Sequence, residues 1–208
     1  PLFAAGALAF NLNRPEEAVE VLRYAIRRDP GQTQYQAYLG AIGFHRKGKP
    51  EEVARLLEPL VAYNPDCPTL IKNMLAFLYK RTGQYQKAIA LYQEILTNYP
   101  KSSSAPFAQY QLGNSYSELR QYDKAVAAYQ DFIQRYSGQK VLLPMVYQRL
   151  GYAHLFQGDH QSALADFDQV IKLSDAWNKD QAYYEAGRVY EGLGDKASAI
   201  GRYEGLIK

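Results

Sequence analysis

Histidine and cysteine side chains are the groups in this sequence that could bind a metal ion or act as nucleophiles. His154 and His160 are six positions apart, so a helix would place them on different faces, whereas a zinc-binding pair needs a spacing of about four. Cys67 lies between Asp66 and Pro68, in a segment typical of a turn, and no adjacent histidine shares its helix face. We therefore expect no catalytic residue, no metal ligand and no cofactor.

The composition is that of a folded domain with balanced charge. The 208 residues are 47% hydrophobic and 22% charged, which permits a core and argues against disorder. The net charge of +3 is small and dispersed, so no basic patch for nucleic acid or a membrane surface is evident. No apolar run approaches the roughly 18 residues of a membrane span. We expect no nucleic acid partner and no membrane span.

A helical pattern recurs along the whole chain, and it would have to position any binding residues. Small residues (Val in the second unit) stand 35 to 38 positions apart at Ala18, Val53, Ala88, Ala125, Ala163 and Ala199. In each unit a large or aromatic residue follows four positions later, mostly with another apolar residue three positions further on. Spacings of four and three place all three residues on one helical face, which predicts an amphipathic helix in every unit.

A second helix precedes each of these, with its own small residue. The positions are Gly6, Ala41, Ala76, Gly113, Gly151 and Gly187, and an aromatic or histidine ring follows three positions later in most units. Glycine inside a helix costs up to about 1 kcal/mol relative to alanine, so its repetition predicts that two helices approach closely there. Glycines at 83, 158 and 194 predict the turn between the two helices, and Arg120 replaces glycine in the fourth unit.

These residues resemble the tetratricopeptide repeat family. The fourth unit carries its signature at Leu112, Gly113, Tyr116, Tyr122, Ala125 and Tyr129. The resemblance covers the chain in units of approximately 1–32, 33–67, 68–104, 105–141, 142–178 and 179–208. It implies an all-α fold, a right-handed superhelical solenoid of about six antiparallel helix hairpins. Arg120, Val53, Ser137 and Asp175 depart from the family pattern, which makes the local turn geometry the least predictable feature.

The resemblance also implies a concave face formed by the first helix of each unit. In this sequence the corresponding registers predict a peptide-binding groove of Phe3, Phe10, Tyr38, Ile42, His45, Asn73, Phe77, Lys80, Tyr110, Asn114, Gln148, Tyr152, Tyr184 and Arg188. Some family members grip a C-terminal carboxylate with a Lys and Asn clamp, but Tyr110 stands where the lysine would precede Asn114. We therefore expect a peptide or helix with apolar and aromatic anchors rather than a chaperone tail.

The predicted function is a non-catalytic scaffold for protein–protein interaction. One alternative is an interaction or regulatory segment of a larger multidomain enzyme or complex. Another is an RNA-binding helical repeat, which the nearly balanced charge disfavours. Because the chain starts at Pro1 and stops at Lys208 with no polar capping helix, we expect it to continue at both ends, or to self-associate or pack against a partner there.

Residues 98–138, with a Ser/Pro-rich connector after Tyr-Pro, resemble the repeats of bacterial envelope proteins. This favours a bacterial periplasm or cell envelope as the location, with the cytoplasm as the alternative, and another envelope protein as the partner.

Overall fold

The computed structural model describes residues 50–63, 67, 69–173 and 176–206, together with Val21, Tyr24 and Arg28. Within this part of the chain the regular structure is entirely helical. Contacts divide the chain into two compact units, unit 1 (Pro1–Ala108) and unit 2 (Gln109–Lys208). The prediction of an all-α fold of paired helices is confirmed.

The helices are 9 to 17 residues long and are joined by short connections. Their bounds are α1 Pro50–Tyr63, α2 Thr69–Arg81, α3 Tyr85–Asn98, α4 Ala105–Glu118, α5 Tyr122–Arg135, α6 Leu142–Gln157, α7 His160–Leu173, α8 Ala176–Gly192 and α9 Lys196–Glu204. In unit 1, α2 packs against both α1 and α3. In unit 2, each helix from α5 to α9 packs against the next, and α6 also contacts α8. The predicted boundaries of the six units stay a prediction, and α8 begins before the boundary placed at residue 179.

The turns inside the hairpins use the left-handed backbone conformation that glycine adopts readily. Gly83, Gly158 and Gly194 have φ angles of 74°, 80° and 79°, and Arg120 has a φ of 56° at the equivalent position. Each turn closes with the same backbone bond, for example from Asp159 N to His154 O at 2.9 Å. The fourth unit therefore keeps the turn geometry of the others although it lacks the glycine.

The predicted packing registers form the cores. In unit 1, Ala88, Tyr92 and Ile95 of α3 are completely buried, and Ile71 and Leu75 of α2 are almost completely buried. In unit 2 the corresponding residues are also completely buried: Ala125, Tyr129, Phe132, Ala163, Phe167 and Val170. Burial of such side chains is the main source of helix stability in a protein. The sequence period therefore identified the second helices and their buried faces.

The first helices of unit 2 complete these cores from the other side. Val146, Leu150 and Ala153 of α6 pack against the buried residues of α5. Ala182, Ala186 and Val189 of α8 pack in the same way against the buried residues of α7. The second helices α5 and α7 are thus each covered by the first helix of the next hairpin.

Candidate functional site

Close contact between a glycine and a ring fixes each first helix of unit 2 against its partner. A Cβ atom built on Gly151 would lie 2.9 Å from Cε1 of Phe167, which is closer than real Cβ contacts. Cβ atoms built on Gly113 and Gly187 would overlap the rings of Tyr129 and Tyr203. The predicted close approach of the two helices is confirmed at these three positions. It sets the rotation of α4, α6 and α8 and hence the direction of their other side chains.

The α6–α8 face is a part of the predicted groove in which hydrogen bonds and an ion pair connect side chains of two helices. We define it by Gln148 and Tyr152 of α6 and Tyr184, Glu185 and Arg188 of α8. The Tyr152 hydroxyl donates to Glu185 Oε1 at 3.1 Å. Arg188 Nη1 lies 3.6 Å from Glu185 Oε2. The carboxylate of Glu185 thus links two predicted groove residues on neighbouring helices.

The surroundings of Tyr152 keep its hydroxyl protonated. Burial raises the pKa of Tyr152, and the nearby Glu185 carboxylate raises the pKa further, so the phenol stays a hydrogen-bond donor. Gln181 Nε2 donates to the same Glu185 oxygen at 2.7 Å. Glu185 itself is buried. The hydrogen bonds to its carboxylate offset the free-energy cost of burying the charge.

Tyr184 and Arg188 are the exposed members of the face. The Tyr184 side chain is 46% exposed, and its ring lies 6.1 Å from the ring of Tyr203 in a tilted arrangement. The Arg188 guanidinium lies 5.9 Å from the Tyr184 ring centroid, within cation–π range. A ring held in this way offers apolar area together with a hydrogen-bonding tip.

Tyr110 and Asn114 lie inside unit 2 rather than on its surface. Tyr110 is buried and belongs to the core that α5 and α6 share. Asn114 Oδ1 accepts a hydrogen bond from the Tyr129 hydroxyl at 2.8 Å, and its Nδ2 donates to Gln111 Oε1 at 3.0 Å. Both side chains therefore have structural contacts, and their predicted role in a groove stays a prediction.

Three predicted groove residues lie on α2 in unit 1. Asn73 is buried, and its Nδ2 donates to Ser104 O at 2.9 Å. Phe77 is half-buried, with its ring 6.3 Å from that of Phe107, and Lys80 Nζ lies 5.7 Å from the Phe77 ring centroid. The remaining predicted groove residues lie outside the described part of the chain: Phe3, Phe10, Tyr38, Ile42 and His45.

Sequence reasoning missed Glu185, although a signal for it existed. The same register holds Gln111 and Arg149 in the two preceding units, so three successive first helices carry a polar residue beside the predicted groove.

A cleft between α1, α2 and α3 in unit 1 was also not predicted. Its volume is about 680 Å³, and apolar residues such as Leu75 and Leu91 line it. Two ion pairs, Lys72 with Glu94 and Lys87 with Glu58, also line it. The buried Lys72 ammonium lies 2.6 Å from Glu94 Oε1. Lys72 and Glu94 are on different helices, so spacing within one helix could not have paired them.

Cys67 is buried, and His154 makes a hydrogen bond within its own hairpin. Burial raises the pKa of the Cys67 thiol, which lowers its reactivity. His154 Nδ1 lies 2.7 Å from Asp166 Oδ2 across the α6–α7 hairpin. Among the described residues, no group of three or more His, Cys, Asp or Glu side chains could hold a metal ion.

None of the helices in the described ranges is both long enough and apolar enough to cross a bilayer.

Solved structures with the same fold share little sequence with this chain. BtubC (BKLC) from P. vanneervenii has a TM-score of 0.72 at 21% identity over 95% of this chain and 89% of that one. PilW, described as a widely conserved type IV pilus biogenesis factor, has a TM-score of 0.70 at 15% identity over 97% and 88%. MamA from Desulfovibrio magneticus RS-1 has a TM-score of 0.69 at 17% identity over 85% and 94%. These likenesses show the fold alone.

Sequence comparison identifies the family. No curated protein matches the chain. One profile described as tetratricopeptide repeat matches residues 68–138, and a second matches residues 3–54 and 149–208. The matches cover most of the chain, and they agree with the helix pairs and with the glycine–ring contacts in unit 2. The chain belongs to the tetratricopeptide repeat family.

Proposed function

We propose that the chain is a non-catalytic scaffold that binds an extended or helical segment of a partner protein on the α6–α8 face. Repeats of this family, and neighbours with the same fold, support a role in protein–protein interaction. The observation that carries the narrower proposal is the pairing of an anchored polar centre, Tyr152 with Glu185, with the exposed Tyr184 and Arg188.

The chemistry of the face defines the ligand. Tyr184 offers a ring for an apolar or aromatic side chain, and Arg188 offers donors for a carbonyl or a carboxylate. Because Tyr152, Gln181 and Glu185 already bond to one another, the face loses little freedom when a ligand binds. A peptide with an aromatic or aliphatic anchor next to an acidic or carbonyl group fits these properties.

Site-specific crosslinking tests the proposal. A photoreactive phenylalanine analogue at Tyr184 is compared with the same group at Leu173 of α7, which is 45% exposed against 46% for Tyr184. We expect a discrete crosslinked partner from position 184 and none of comparable yield from position 173. Mass spectrometry then gives the partner segment, which is synthesised for binding measurements.

The affinity of two variants for the synthetic segment tests whether the α6–α8 face binds it. Tyr184→Ala should weaken its binding by roughly tenfold, and Leu173→Ala should leave it within about twofold. Equal crosslinking from both positions, or equal affinity of both variants, would remove the α6–α8 face from the proposal.

A role in cell-envelope assembly is a narrower proposal that rests on the resemblance of residues 98–138 to envelope repeats. Fractionation of the source cells with an antibody to the chain tests it. Recovery in the periplasmic or envelope fraction supports the proposal, and recovery in the cytosolic fraction contradicts it.

A further inference from the structure

An arginine in unit 2 connects the second helices of two successive hairpins. Arg202 of α9 donates from both terminal nitrogens to the carboxylate of Asp168 of α7, at 2.5 and 3.1 Å. Its guanidinium also lies 5.8 Å from the centroid of the Tyr190 ring on α8, which packs against both α7 and α9. An acid, a ring and a guanidinium from three successive helices therefore form one site.

The cleft in unit 1 has the acid and the ring at the same registers. Glu58 of α1 stands at the register of Asp168, directly after the large residue of the second-helix pattern. Tyr79 of α2 stands at the register of Tyr190, three positions after the small residue of the first helix. The Tyr79 hydroxyl donates to Glu58 Oε1 at 2.8 Å, and both residues line the cleft. This hydrogen bond holds the carboxylate beside the ring.

The guanidinium has no equivalent in unit 1. Leu91 of α3, which lines the cleft, stands at the register of Arg202. The cation near Glu58 is instead Lys87, whose Nζ lies 3.7 Å from Glu58 Oε1 and 5.0 Å from the Tyr79 ring centroid. The Lys87 side chain is 57% exposed, and such a long, exposed ion pair is weak. Because the nearest contacts are both to Oε1, Oε2 of the same carboxylate can accept further hydrogen bonds.

The second carboxylate among the described residues of the cleft already has a close cation. Glu94 Oε1 lies 2.6 Å from Nζ of Lys72, whose side chain is only 4% exposed. The cleft volume of about 680 Å³ lies in the range of sites that admit a ligand. Val61 and Leu91 give it an apolar lining, which suits the methylene stem of a long cationic side chain.

We propose that the unit 1 cleft binds an arginine side chain of a partner protein, with its guanidinium paired to Glu58 beside the Tyr79 ring. The same acid and ring registers hold Arg202 in unit 2, which shows the group that fits them. Arginine fits better than lysine, because its planar fork reaches both oxygens of a carboxylate.

The charges of the cleft favour an arginine within a protein chain over the free amino acid. Glu58 pairs with the guanidinium, and Glu94 is paired with Lys72, so neither carboxylate is left for a free α-amino group. The cleft shares no residue with the α6–α8 face, and the two contacts are therefore tested separately.

Two small probes test the chemistry on the intact chain. N-acetyl-arginine N-methylamide carries the side chain of a residue within a protein, and the citrulline analogue replaces its guanidinium with a neutral urea of similar shape. NMR of the leucine methyl groups follows binding. We expect saturable shifts at Leu75 and Leu91 but not at Leu150 of α6, with a roughly millimolar dissociation constant for the arginine probe. The citrulline probe should bind about tenfold more weakly.

Variants at the two equivalent acids locate the site. Glu58→Gln should weaken the arginine probe by roughly fivefold or more, because the amide keeps the shape and loses the charge. Asp168→Asn is the matched control and should leave its affinity within about twofold, since Arg202 already occupies that acid.

Two further variants change the competition for Glu58. Lys87→Gln removes the competing cation and should strengthen binding by about twofold or more. Leu91→Arg supplies the guanidinium from the chain itself and should weaken the probe by roughly tenfold or more. Circular dichroism checks that each variant is folded, and Glu58→Gln tests the site without a change of side-chain volume.

The proposal is wrong if the arginine probe does not bind, or if the citrulline probe shifts the same methyl groups with equal affinity. Equal affinity of the Glu58→Gln and Asp168→Asn variants would also overturn it. Free L-arginine is the last comparison. If it binds more tightly than the blocked probe, the cleft is a site for the free amino acid and not for a partner protein.

Discussion

At the scale of the residue, Tyr129, a residue of the repeat signature, also holds the side chain of Asn114 in place. Its ring is completely buried against Gly113, and its hydroxyl donates to Asn114 Oδ1 at 2.8 Å. Burial raises the pKa of Tyr129 well above its usual value, so the hydroxyl remains a donor. The ring and the amide therefore act as one buried unit between α4 and α5.

Removal of this hydroxyl should destabilise the fold. In Tyr129→Phe, Asn114 Oδ1 loses its donor while it stays buried, and the expected loss is about 1–3 kcal/mol of unfolding free energy. Urea denaturation measures the change. Tyr184→Phe, at an exposed ring, is the matched control and should change the free energy by less than about 0.5 kcal/mol. Equal effects of the two variants would contradict the structural role of the hydrogen bond.

The buried carboxyl of Asp166 should make stability depend on pH. Burial raises the pKa of Asp166 to about 6, against the lowering effect of its hydrogen bond to His154. Asp159 also lies near enough to raise this pKa, and Tyr147 lies close by. Because the pKa is higher in the folded chain than in the unfolded one, the native state binds more protons between about pH 4 and 6, and stability falls as pH rises through this window.

Asp166→Asn isolates this effect. The unfolding free energy of the unmodified chain minus that of the variant should decrease between about pH 4 and 6, by roughly 1–3 kcal/mol. Urea denaturation at a series of pH values measures it. An increase over the same window would mean that the hydrogen bond to His154 outweighs the burial of the carboxyl.

At the scale of the element, the glycines of the first helices lower helix propensity but allow close packing against the second helices. Alanine favours a helix interior by up to about 1 kcal/mol over glycine, yet the added Cβ of Gly151→Ala would lie 2.9 Å from Phe167 Cε1. We expect a net loss of about 1–3 kcal/mol, because the Phe167 ring is completely buried and has little room to move. Thermal or urea unfolding measures the loss.

A second glycine separates propensity from packing. Gly192, the last residue of α8, has no atom within 4 Å of a built Cβ, so Gly192→Ala should be neutral or slightly stabilising. If Gly151→Ala were as well tolerated as Gly192→Ala, close approach would not explain the recurring glycine.

At the scale of the whole molecule, the charge of a helical-repeat protein helps to distinguish a protein ligand from an RNA ligand. The chain has 24 basic and 21 acidic residues. In the part of the chain that the structure describes, Lys72 and Arg202 are paired with acids, and Arg188 lies over a ring. We expect no gel shift of single-stranded RNA at about 1 µM protein and low salt, because backbone binding needs a surplus of lysine and arginine. A shift that disappears as salt rises would favour the RNA-binding alternative.

The sequence alone determined the helix pairs, the buried faces and the close glycine–ring contacts. These depend on a period of three and four residues along one helix, which the spacing of Ala125, Tyr129 and Phe132 already contains. Because each unit carries the same local pattern, the assignment of helices and buried faces in one unit applies to the others. The repeat also placed Tyr152, Tyr184 and Arg188 in one proposed surface.

Only the tertiary structure decided which residues beside those buried faces are exposed to solvent. Tyr110 and Tyr184 share a register, yet Tyr110 is buried in a core and Tyr184 is exposed, because a residue at the edge of a helical face takes its environment from the neighbouring helix. The partners of Tyr152 and Lys72, Glu185 and Glu94, are likewise on other helices. The periodicity of one helix describes its own faces, and contacts between helices depend on how those faces are packed together.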